Sequence, residues 1–184
     1  MKTLGVALAF VLPVGALACP AAPDHSGALE ALIAEIQVAS DPATAQILSD
    51  KMWSYWTDAP DDTAQEMLDS GMSKRAAWDL LGAREDFDRL VAYCPDYAEG
   101  YNQRAFVNFL NQNFSGALPD LEKAIQLSPK HVGALSGRAL TLIGLGQDAA
   151  AQDALAQALE LNPWLPERDL VKSPANRHKS GQEL

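Results

Sequence analysis

Apolar residues along this chain recur mostly three and four positions apart, the interval that lines up one face of an α-helix. Ala28, Leu29, Leu32, Ile33 and Ile36 form the first such stripe. Asp41-Pro42 opens a second helix, with Asp41 as N-cap and Pro42 in the first turn. That helix carries Leu48, Met52, Tyr55 and Trp56 on one face and ends before the Ala59-Pro60-Asp61-Asp62 linker. Residues 27–57 thus read as a helical pair. Trp53 falls off the main stripe, as a second packing contact or an aromatic facing a ligand. Downstream, Tyr101, Ala105 and Phe109 share a face, followed by Ala117, Leu118, Leu121, Ala124, Ile125 and Leu127. Ser128-Pro129 and Asn162-Pro163 each stop a helix, because a residue before proline resists helical dihedrals. Pro119 stands early in one of these helices, which predicts a late start near Gly116 or a bend.

The first eighteen residues read differently. Lys2 precedes an apolar run from Leu4 to Leu12, then Pro13, Gly15 and Ala16-Leu17-Ala18. This is the pattern of a secretory leader with a small-x-small cleavage site. The run is short for a bilayer span, and nothing beyond it predicts a transmembrane segment in the mature chain. Cys19 would be the first mature residue, so a lipoprotein acylated there is the alternative. Ala16 and Leu17 stand in the reverse of the usual lipoprotein order, which favours simple cleavage. Cys19 and Cys94 are the two cysteines. In an oxidising compartment they form a disulfide or stay as two free thiols, and spacing alone leaves both open.

Proline recurs at Pro95, Pro129 and Pro163, a period of 34. Arg104 and Arg138, Ala105 and Ala139, Ala117 and Ala151, Leu121 and Leu155, and Ala124 and Ala158 keep the same interval. Three units result, 64–97, 98–131 and 132–165, each of two helices. The chain then divides into a leader (1–18), a tail with a helical-hairpin cap and linker (19–62), the repeats (63–165), and a weak helix with a mobile tail (166–184). A stacked array needs its end faces covered, so residues 27–57 read as an N-terminal cap or as a lapsed repeat.

These units resemble the tetratricopeptide repeat (TPR). Its pattern asks for an aromatic at unit position 4, a small residue at 8, Ala at 20, a bulky residue at 24, Ala at 27 and Pro at 32. The second unit has Tyr101, Ala105, Ala117, Leu121, Ala124 and Pro129. The third has Leu135, Ala139, Ala151, Leu155, Ala158 and Pro163. The first has Met67, Gly71, Ala83, Phe87, Leu90 and Pro95, departing at positions 4 and 27. Trp78 falls where this unit should turn, and Asn108 stands where relatives often carry an aromatic, leaving Phe109 to fill that space. The resemblance implies an all-α fold, a right-handed superhelix of antiparallel helix pairs.

It also implies a concave groove lined by unit positions 2, 5, 9, 12 and 13. Carried over, these are Gln65, Leu68, Met72, Arg75 and Ala76; Glu99, Asn102, Phe106, Phe109 and Leu110; and Gly133, Ser136, Leu140, Ile143 and Gly144. The candidate partner-binding residues are Met72, Asn102, Phe106, Phe109 and Leu140, which suit an apolar peptide or helix with Asn102 bonding its backbone. Some relatives grip a C-terminal carboxylate with Lys, Asn and Arg at positions 5 and 9. Here those positions offer no Lys or Arg, which argues against such a clamp.

Composition narrows the chemistry. Apolar residues make up 48% and charged residues 21% of 184, which excludes a wholly disordered chain. The net charge of −10 disfavours nucleic-acid binding. Residues 19–97 hold 15 acids and 5 bases, a bias suited to a basic partner or to solubility. Motifs of hydrolases, phosphate loops and metal sites are missing, so neither catalytic residues nor a cofactor nor a metal is expected. His25, His131 and His178 read as solvated loop residues, and Glu85, Asp86 and Asp88 as a solvated cluster. Arg104 and Arg138 read as semi-buried, paired with Asp120, Glu122 or Asp153. The function expected is a non-enzymatic, periplasmic protein-binding scaffold. The alternatives are a lipid-anchored subunit of an envelope assembly and, less favoured, a small-ligand binder.

Overall fold

The structure, a computed structural model, describes residues 19–171. The predicted leader (1–18), the end of the tail (172–184) and His178 lie outside the described residues. Eight α-helices follow one another: α1 (Ser26–Gln37), α2 (Pro42–Trp56), α3 (Asp62–Ala76), α4 (Leu80–Tyr93), α5 (Ala98–Leu110), α6 (Phe114–Leu127), α7 (Val132–Gly144) and α8 (Asp148–Leu161). A short 3-10 helix, Pro166–Leu170, comes last. Among the described residues no strand is present, and no helix is long and apolar enough to cross a membrane.

Helices α3/α4, α5/α6 and α7/α8 form the tightest pairs, and α4 packs on α5 as α6 packs on α7. The result is an α-solenoid. Small residues permit the close approach: Ala83, Ala117, Ala151, Ala124 and Ala158 are fully buried, and Ala105 and Ala139 nearly so. Caps set the starts. Asp41, Asp61, Asp79 and Asn113 accept from the backbone N–H of Thr44, Ala64, Gly82 and Gly116. The turn within each pair passes through a left-handed residue, at Trp78 (φ 61°), Gln112 (φ 57°) and Gly146 (φ 70°). These positions are 34 apart, so the repeat extends to backbone dihedrals.

Pro119 neither delays α6 nor defines its start. The helix begins at Phe114, capped by Asn113, and runs on through the proline. The N–H that Pro119 lacks would have met the carbonyl of Ser115, an exposed residue in the first turn of the helix.

The N-terminal hairpin does not sit on the near end of the array. α1 packs against α8, at the far end. Leu32, Ile33, Ile36, Met52 and Trp56 form one core with Val132, joined by Leu161, Trp164 and Leu165. Gln37 donates to the carbonyl of Glu160 at 2.6 Å, and Lys130 pairs with Glu30 at 2.7 Å. The hairpin therefore folds back over the array. A disulfide joins Cys19 to Cys94, with Cα atoms 5.1 Å apart, and pins the start of the described chain to the end of α4.

Candidate functional site

The inner face of the array is formed by α3, α5 and α7. Helical spacing brings Asn102, Phe106 and Phe109 of α5 beside Ser136, Leu140 and Thr141 of α7. Between them lies a cleft of about 210 Å³, largely apolar. Trp53 of α2 and Glu167 of the terminal 3-10 helix complete its wall. Trp53 packs against the hairpin core and also lines the cleft.

Phe106 is 41% exposed, a large apolar surface left open to water. The Arg75 guanidinium lies over its ring, 4.4 Å from the centroid. Burial pushes the Arg75 pKa down, and the charge of Glu99 works against that shift. Phe109 meets Phe114 edge to face at 5.4 Å, bracing its ring against α6. Asn102 donates to Glu99 at 3.1 Å, which orients its amide.

Asn102, Phe106, Phe109 and Leu140 therefore converge as the repeat positions require. Met72 does not line the cleft; it packs against the core around Leu68 and Phe87. Leu68 is fully buried, and Glu99 is 1% exposed, so neither presents a groove surface. Gly144 faces Phe114: a Cβ there would sit 2.8 Å from its ring.

Other residues read as solvated are built into the structure. His131 is fully buried. Its Nδ1 accepts from the Ala134 N–H at 3.2 Å and caps α7. The other ring nitrogen therefore carries the proton and donates to Glu99 at 2.8 Å. Trp56 stacks on the imidazole at 4.4 Å, so this pair also docks the hairpin. His25 bonds Asp58 at 2.6 Å. Asp86 is fully buried, bonded by Ser70, Lys74 and Arg89. Glu85 and Asp88 stay exposed. Arg104 forks onto Asp120 with two bonds and also reaches Asp88 at 2.9 Å. Arg138 bonds Gln157 instead of an acid.

Stacked antiparallel helix pairs with an apolar cleft on the inner face define an α-solenoid of the protein-interaction type. The tetratricopeptide repeat profile matches residues 109–164. A TPR repeat-containing protein of Rhizobium etli is 30% identical over 141 residues, spanning 73% of this chain and 66% of that protein. Mouse tetratricopeptide repeat protein 36 is 33% identical over 106 residues, 55% of this chain and 56% of its own. The chain thus spans about half to two thirds of these relatives. Among solved structures, the TPR2B domain of yeast Sti1 in its pHsp70 complex superposes with TM-score 0.56 at 25% identity, covering 60% of this chain and 91% of that one. The first TPR of Spaghetti (RPAP3), bound to the HSP90 peptide SRMEEVD, gives 0.58 at 20% identity, covering 59% and 87%. This chain belongs to the tetratricopeptide repeat family.

Proposed function

We propose that the chain is a non-enzymatic scaffold of the bacterial periplasm that binds a peptide or helix of a partner protein in its concave groove. The observation that carries this reading is the apolar cleft, with Phe106 exposed in its wall and Asn102 oriented beside it. Burial of apolar surface supplies the affinity, and polar contacts set the register. One solved TPR neighbour is a pHsp70 complex and another holds an HSP90 peptide, which supports the same use of the fold here. Export is supported by the leader-like pattern of residues 1–18 and by the disulfide, a bond kept in oxidising compartments. A Cys19 sulfur held in that disulfide is not available for a thioether-linked lipid, so simple cleavage is preferred over anchoring.

Two measurements test the proposal. Cross-linked capture from the native envelope fraction compares wild type with a Phe106→Glu, Leu140→Glu variant whose fold is checked by circular dichroism. A partner lost only in the variant is expected; equal capture by both overturns groove recognition. The intact mass of the exported protein is expected to begin at Cys19 without lipid, and an acylated Cys19 overturns that part.

A further inference from the structure

Two residues of the cleft wall carry buried polar atoms that nothing in the described structure satisfies. One is Oε2 of Glu167, buried and without a hydrogen-bond partner. The other is Oγ1 of Thr141, on a residue fully buried in α7. Both residues line the same apolar wall as Phe106, Phe109 and Leu140. A buried polar atom without a partner is costly, and the cost grows with its charge. A carboxylate only accepts, so a ligand group that meets Glu167 at the cleft wall must donate, and a cationic N–H donates most strongly.

Size and charge restrict the occupant further. The cleft, about 210 Å³, falls below the volume of sites that enclose a whole drug-sized ligand, about 300–1,000 Å³. It is on the scale of one large side chain. Arg75 covers Phe106 from the α3 side, while Glu167 approaches from the end of the array beyond α7. A cation is therefore repelled at one end and attracted at the other. The chain's net charge of −10 draws a basic segment from a distance.

We infer that the groove selects a peptide segment in which a bulky apolar residue, seated against Phe106, Phe109 and Leu140, is next to a lysine or arginine that donates to Glu167. The inference rests on the groove being a peptide site and adds its ligand chemistry and polarity. The preference is opposite in charge to a grip on a terminal carboxylate.

Selection from a displayed library of random linear peptides tests it, using the full disulfide-intact protein. Wild type, Glu167→Gln and Phe106→Glu are panned in parallel after thermal melts confirm that all three fold. Wild type is expected to enrich apolar residues adjoining Lys or Arg. Glu167→Gln is expected to keep the apolar preference and lose the basic one, and Phe106→Glu to lose both. One enriched peptide then closes a cycle by fluorescence anisotropy. Replacing its basic residue by alanine should weaken binding to wild type about tenfold and to Glu167→Gln by less than about twofold. Apolar enrichment without a basic preference, or a basic preference that survives in Glu167→Gln, overturns this inference and leaves the peptide groove standing. Absence of any enrichment over a protein-free control overturns both.

Discussion

The ring of Phe87 occupies the space in which a side chain on Gly71 would begin: a Cβ built there lies 2.5 Å from the ring. The two residues hold unit positions 8 and 24, where the later repeats pair Ala105 with Leu121 and Ala139 with Leu155. The first repeat has exchanged a methyl group on α3 for a larger ring on α4, keeping the volume between its helices filled. Gly71→Ala is expected to destabilise the protein by about 1–3 kcal/mol through overpacking. Adding Phe87→Leu should recover part of that loss, because it restores the pairing of the other units. Urea midpoints of the two single variants and the double variant check this. Additive losses would show that the positions do not share one volume.

The left-handed turn residues make a second test. Gly146 adopts its positive φ without strain, whereas Trp78 and Gln112 have a Cβ in the same conformation. Gln112→Gly is expected to stabilise by on the order of 1 kcal/mol, less the extra freedom of glycine in the unfolded chain. Gly146→Ala should destabilise by a similar amount. Thermal melts distinguish these outcomes, and a lower melting temperature for Gln112→Gly would oppose the argument.

The disulfide closes a long loop, with a sequence separation of 75. In the chain-entropy account such a link is worth on the order of 4 kcal/mol. Reduction is expected to lower the urea midpoint of wild type and to leave a Cys19→Ser variant unchanged. Cys94→Ser should be the more damaging replacement, because Cys94 is 1% exposed within the core of the first repeat.

Acid should act through Asp86. Burial alone pushes its pKa up, but hydrogen bonds from Lys74, Ser70 and Arg89 outweigh burial and hold the carboxyl below its ordinary value. A carboxylate depressed in the folded state adds stability above its unfolded pKa and loses it as pH falls through the folded one. The loss therefore lies below about pH 4. Asp86→Asn is expected to be less stable than wild type at neutral pH and to show a shallower fall below about pH 4. Urea unfolding across that range reads both effects; parallel acid profiles would exclude Asp86 as a source of the dependence.

The repeats were legible because their signals are local and recur. Alanine at positions 20 and 27, a bulky residue at 24 and proline at 32 each follow from the packing of one helix pair, and a fixed period places every copy. Asn102, Phe106, Phe109 and Leu140 followed from the same ruler. Met72 did not, because it packs, half-buried, against the first repeat's core around Phe87. Glu99 failed for a related reason: the ruler places it on the inner face, but His131 and the docked hairpin enclose it there.

By itself the sequence determined the helical class, the 34-residue repeat, the helix stops and the inner strip of apolar residues. Those depend on periodicity and on neighbours within one or two units. Only the tertiary structure decided where the N-terminal hairpin lies, that His131 is buried, and that Trp53 and Glu167 wall the cleft. Those outcomes depend on contacts between distant parts of the chain, such as Gln37 with Glu160 and Ser49 with Asn162. Periodicity along the chain says which face of a helix is apolar. It does not say which distant surface that face will meet, because that is settled by the shape the whole array presents.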